Sequence, residues 1–126
     1  MIQTHSTSRP FMTMVKNAKH ELQADAPVTK GGGGAGFGAH ELLEAALAVC
    51  LNMALRMHAA EHSIPLEDVA TRVALRWPQP DTVCFEYAID LIGPLTDDQR
   101  QQLEQVASTC PVRKTLSKRI EFTAVE

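Results

Sequence analysis

The sequence predicts an α+β protein. One long apolar stretch of helix-forming residues lies mid-chain, short alternating segments flank it, and no parallel-strand crossover unit occurs. With 126 residues, 44% of them hydrophobic and 21% charged, the chain has the size and make-up of one globular domain over residues 1–126.

The central helix is expected from His40 to His62. Between Leu42 and Ala60 only Glu44, Asn52, Arg56 and His58 interrupt the apolar run, and Pro65 stops it. At 1.5 Å per residue, ~22 residues make a rod of roughly 33 Å. A helix apolar on most of its faces must be wrapped on more than one side, so a second copy of the chain is expected to cover what one sheet leaves open.

The flanks read as antiparallel hairpins that pack on this helix. Val69 to Trp77 and Val83 to Leu91 alternate in polarity around a turn at Pro78-Gln79-Pro80-Asp81, with arginines on one outer face and acids on the other. A second hairpin is expected to pair Phe11 to Val15 with Lys19 to Ala24. Thr96-Asp97-Asp98-Gln99 is a capping box opening a helix to about Ser108, a short helical turn should follow Pro111, and Ile120 to Val125 should close the chain as a strand.

Charge and hydropathy exclude several functions. Twelve Lys and Arg against fifteen Asp and Glu, scattered along the chain, give a net charge of -3 and no footprint for nucleic acid or anionic lipid. No apolar leader follows the N-terminus, and the longest uninterrupted apolar run, Ala45 to Leu51, is far short of the ~20 residues of a membrane span. The expectation is a cytoplasmic protein without a membrane partner. Three cysteines, Cys50, Cys84 and Cys110, are too few and too dispersed for a disulfide framework.

Four motifs bear on chemistry. Gly31, Gly33 and Gly36 satisfy G-x-G-x-x-G, but no apolar strand precedes them and no parallel strand follows. The run also lacks the Lys-Ser or Lys-Thr of a Walker loop, so it reads as a loop feeding the helix, and no cofactor is expected. His58-Ala59-Ala60-Glu61-His62 matches H-x-x-E-H, yet a third zinc ligand has no obvious source and the site falls at the solvated helix end. Cys84 shares a strand face with Glu86 and Asp90 and receives no role. Cys50 has apolar same-face neighbours, which alone suits a buried small hydrophobe. Cys110 stands at the cap position before Pro111, with Arg113 and Lys114 one turn on, an electropositive setting that favours thiolate.

Three segments together resemble the OsmC/Ohr family of osmotically inducible and organic hydroperoxide resistance proteins. They are the Gly-rich lead into Glu41-Leu42-Leu43-Glu44-Ala45-Ala46-Leu47-Ala48-Val49-Cys50, the stretch Ala59 to Leu66 entering a strand, and Cys110-Pro111-Val112 before Lys114-Thr115-Leu116. The resemblance covers about residue 20 to the end. It implies an α+β fold in which two chains intertwine around their long helices as a homodimer. It also implies that Cys50 resembles the peroxidatic thiol and Cys110 the resolving one. Family peroxidases steady the thiolate with an N-terminal Arg and a Glu ten residues before the cysteine. Here Arg9 is the only arginine before the helix, His40 holds the position ten before, and Glu41 stands nine before.

The function expected is thus a thiol-dependent peroxidase acting on organic hydroperoxides or hydrogen peroxide, with an external dithiol as reductant. A non-catalytic small-molecule binding protein of the same fold is the alternative, and a metal module through His58 and His62 a remote third.

Overall fold

The structure, a computed structural model, describes residues 1–125. The chain forms two compact units, residues 1–43 and the chain from Glu44 onward.

The first unit is built on a three-stranded antiparallel sheet, β1 (Gln3–Ser6), β2 (Thr13–Lys16) and β3 (Glu21–Ala24), in that spatial order. The expected hairpin is present but shorter. Phe11 has φ 66°, a left-handed conformation an extended strand cannot contain, so β2 starts at Thr13. Asn17 Oδ1 accepts the backbone N–H groups of Lys19 and His20, an Asx turn that delays β3 to Glu21. β1 was not expected, because Gln-Thr-His-Ser has no apolar alternation and all four residues are exposed. Its register, from Gln3 opposite Lys16 to Ser6 opposite Thr13, is fixed by backbone pairing to β2 alone.

Helix α1 (Ala39–Glu61) agrees with the expected helix to within a residue at each end. Its stripe Leu47, Leu51, Leu55 and Ala59 is the spine of the core of the second unit, with Ile64, Val69, Leu103, Ala107 and Cys110 packed around it. By length and composition alone α1 could cross a membrane. The buried leucine stripe makes it instead the core helix of a folded unit.

The second unit adds the hairpin β4 (Asp68–Gln79) and β5 (Thr82–Ile92), then α2 (Asp97–Ala107) and α3 (Pro111–Leu116). The strands pair antiparallel from Asp68 opposite Ile92 to Gln79 opposite Thr82, with a register irregularity between Arg76 and Gln79. Arg72 meets Asp90 at 3.1 Å and Arg76 meets Glu86 at 3.4 Å across the solvated face, as the alternating charges foretold. α2 carries the complete Thr96/Gln99 capping box, and α3 has Pro111 in its first turn behind Cys110 as N-cap.

The polar interruptions of α1 have a use that helical periodicity did not reveal. Glu44 Oε2 accepts the Leu75 N–H, the Ala48 carbonyl accepts from Thr71 Oγ1, and Asn52 Nδ2 donates to the Val69 carbonyl. Four-residue steps along α1 therefore descend β4 in the opposite direction, and one line of hydrogen bonds stitches helix to strand.

The C-terminal strand is a correction. Residues 120–125 form no strand, and Ile120, Phe122 and Val125 are 57%, 95% and 88% exposed. Alternation states which face of a segment is apolar but not which strand edge will accept it, and among the described residues none does.

Candidate active site

Cys50 lies at the middle of α1, half-buried, and Cys110 is buried at 1% exposure. Cys110 belongs to the buried cluster, and Cys50 packs against it. The break between α2 and α3 brings them together. Ser108 and Thr109 unwind the end of α2, Pro111 starts the next turn, and the N-cap conformation of Cys110 directs the chain back toward α1.

At that point the backbone N–H of Val112 donates to Cys50 Sγ at 3.4 Å. The two cysteine side chains interact directly. Burial pushes the Cys110 thiol above the ordinary cysteine value of 9.0, and hydrogen bonding and charge from Cys50 push it further. The backbone N–H groups of Arg113 and Val112 pull the other way. Both sulfurs thus lie at the edge of the apolar core, beside the first amides of α3. Arg113 itself leaves the pocket: its guanidinium donates to Tyr87 Oη on β5 at 3.0 Å and lies over the Tyr87 ring, 5.5 Å from the centroid.

The other site candidates sit as follows. Glu41 Oε1 accepts the Gly38 N–H at 2.9 Å, so this carboxylate closes the first turn of α1 in the manner of one half of a capping box. Arg9 is exposed in the turn between β1 and β2, where its backbone N–H donates to Thr7 Oγ1. Glu41 and Arg9 belong to the first unit and the two cysteines to the second. Cys84 is exposed on β5. His58 and His62 stack with centroids 4.0 Å apart, His62 Nδ1 is 3.0 Å from the His58 carbonyl oxygen, and His58 Nε2 is 2.8 Å from Gln102 Nε2. Those contacts tie the end of α1 to its own backbone and to α2.

Sequence reasoning missed Asp25, the one buried carboxylate among the described residues. Its Oδ1 accepts the Ala26 N–H, and its Oδ2 accepts those of Gly33 and Ala35. The amides of the glycine run, which in a nucleotide-binding loop would face a phosphate, here close on a side chain of the same unit. Gly32 and Gly36 are required by close approach, since a Cβ there would collide with the backbone of Ala26 and of Gln23. The available signal was a lone Asp shortly before a glycine-rich stretch.

A comparison with curated proteins returned no match. Solved structures share the fold. A putative osmotic stress induced and detoxification response protein from Psychrobacter arcticus is 24% identical with a TM-score of 0.77, covering 90% of this chain and 85% of its own. An organic hydroperoxide resistance protein OsmC from Legionella pneumophila is 23% identical with a TM-score of 0.65, over 93% and 88%. A putative organic hydroperoxide resistance protein from Vibrio cholerae, with captopril bound in one of its active sites, is 21% identical with a TM-score of 0.65, over 93% and 84%. The sequence profile of OsmC-like proteins matches residues 31–125, a stretch that contains both the α1 cysteine and the Cys110-Pro111-Val112 turn. The chain belongs to the OsmC-like protein family.

Proposed function

We propose that this protein reduces organic hydroperoxides or hydrogen peroxide through the Cys50 and Cys110 thiols. The observation that carries the reading is the neighbouring placement of the two cysteines at the start of α3, with the Val112 amide on Cys50 Sγ and burial holding the proton on Cys110. A half-buried sulfur that accepts an amide, beside a buried thiol that keeps its proton, suits the division between an attacking thiolate and a thiol that waits.

In the proposed cycle the Cys50 thiolate attacks a peroxide oxygen. The O–O bond breaks, the alkoxide or hydroxide leaves and takes a proton, and Cys50 becomes a sulfenic acid. Cys110 then attacks the Cys50 sulfur; the S–O bond breaks, water departs with the Cys110 proton, and an S–S bond forms. An external dithiol supplies two electrons and two protons to restore both thiols, becoming a disulfide itself. No cofactor enters the cycle. The names of the Legionella and Vibrio relatives support the reading. A reducing cytoplasm, where dithiols are available, is the setting proposed for it.

Peroxide consumption with a dithiol reductant tests this. Cys50→Ser is expected to abolish turnover. Cys110→Ser is expected to consume one equivalent of peroxide and accumulate a sulfenic acid at Cys50. A wild-type protein that binds a hydroperoxide without consuming it would replace the peroxidase reading with that of a binding protein. The resemblance gives Arg9 the part of the cation that steadies the thiolate, so Arg9→Ala is expected to slow peroxide reduction by orders of magnitude. An unchanged rate would remove Arg9 from the mechanism.

A further inference from the structure

α3 is six residues long, too short to hold its shape or its place unaided. Yet it carries the amides that meet both sulfurs, those of Val112 and Arg113. Its Cys110 end is anchored by burial and Val112 by packing on the core. The remaining anchor is on the solvent side, where the Arg113 guanidinium bonds the Tyr87 hydroxyl and covers the Tyr87 ring. Tyr87 stands on β5 opposite Val73 of β4, in the longest hairpin of the chain and therefore on a firm base. No carboxylate forms an ion pair with Arg113 among the described residues, so its direction is set by the tyrosine.

We propose that Tyr87 and Arg113 are positioning residues for the Cys50 thiolate: the tyrosine clamps the arginine, the arginine clamps α3, and α3 aims the Val112 amide at Cys50 Sγ. The inference rests on the reading of Cys50 as the reactive thiol. A hydrogen bond from a fixed amide favours thiolate over thiol, whereas an amide that wanders favours neither. Tyr87→Phe removes the hydroxyl while leaving the ring and the arginine charge in place, which separates positioning from through-space electrostatics. Arg113→Ala removes both contacts.

The experiment is the pH profile of Cys50 alkylation by iodoacetamide in the reduced full-length protein, followed on the Cys50 peptide by mass spectrometry so that Cys84 does not contribute. Both variants should shift the profile to higher pH. At pH 7 the rate should fall about three-fold for Tyr87→Phe and up to about ten-fold for Arg113→Ala. The double variant should be no slower than Arg113→Ala alone, because both changes break one chain of contacts. Thermal melting of Tyr87→Phe within a few degrees of wild type confirms that the fold is intact. A Tyr87→Phe profile superimposable on wild type overturns the inference, as does additivity in the double variant. Alkylation reads thiolate without any peroxide. A protein that shows the shift but no peroxide turnover would leave the clamp standing and remove the peroxidase, and a peroxidase without the shift would do the reverse.

Discussion

At Cys110 a core position and a titrating group coincide. Its thiol is raised above 9.0 in the folded chain, first by burial and then by Cys50, so the folded state holds a proton that the unfolded state gives up at about that pH. The contribution to stability is therefore complete below pH 9 and declines as the pH climbs from 9 toward the folded-state value. Urea titrations between pH 8 and 10.5 should show Cys110→Ala with a shallower alkaline loss of stability than wild type. Glu41 poses a different question, since its carboxylate already has a partner in Gly38. Glu41→Gln keeps an acceptor for that amide and removes the charge, whereas Glu41→Ala removes both. The alanine variant should lose about 0.5–1 kcal/mol by chemical denaturation and the glutamine variant much less. A slower peroxidase in both variants, as the family role implies, would show that the charge serves the reaction beyond the cap. Local pattern pointed to Cys110 alone, while Cys50 and Glu41 became candidates only through the family resemblance. The sequence left Asp25 and Tyr87 unread, because each acts on amides or side chains many residues away and local spacing carries no trace of such partners.

Among the elements, α1 was legible to within a residue because composition, an unbroken apolar run and a terminating proline all agree on it. The hairpin β4–β5 was legible for the same kind of reason, its alternation being long enough to fix both strands and their face. β1 was not, since an exposed polar strand borrows its existence from a neighbour. The four-residue line of Glu44, Ala48 and Asn52 joins helix to β4 by three hydrogen bonds in the second unit. Removing Glu44 Oε2 leaves the Leu75 amide without its bond beside a residue that is 5% exposed. Glu44→Ala should accordingly cost about 1–3 kcal/mol in a denaturation midpoint, more than an exposed helix substitution costs. Glu44→Gln, which keeps an oxygen acceptor, should recover most of it.

For the whole molecule, the exposed side of α1 is the unsolved surface. Val49, Met53 and Met57 are 50%, 47% and 61% exposed on a helix whose opposite stripe is fully packed. With Ile120, Phe122 and Val125 they leave far more apolar surface in water than a small monomer tolerates. A homodimer remains our proposal for what covers it. Sedimentation should give twice the 13.8 kDa of one chain, and Met53→Glu should shift the protein toward monomer with loss of thermal stability. A wild-type monomer with full helix content would overturn the proposal. The overall class was legible because alternating and helical periods are properties of one chain. The fate of residues 120–125 was not, because a strand edge is a property of whatever lies beside it.

The glycine run also sets which mutations the N-terminal unit can absorb. Its amides are filled by Asp25, and two of its positions lie against backbone that no rotamer change can move aside. Alanine at Gly32 or Gly36 would have to displace the chain at Ala26 or Gln23, while alanine at Gly34 meets only the flexible tip of Val28, against the strain of a φ of 63°. A library of single substitutions across residues 31–38 should therefore be uneven, empty at 32 and 36 and populated at Ala35 and Phe37. A run that looks like low-complexity spacer in the sequence would thus behave under selection as a graded series, closed at Gly32 and Gly36, strained at Gly31 and Gly34, and tolerant at Ala35 and Phe37.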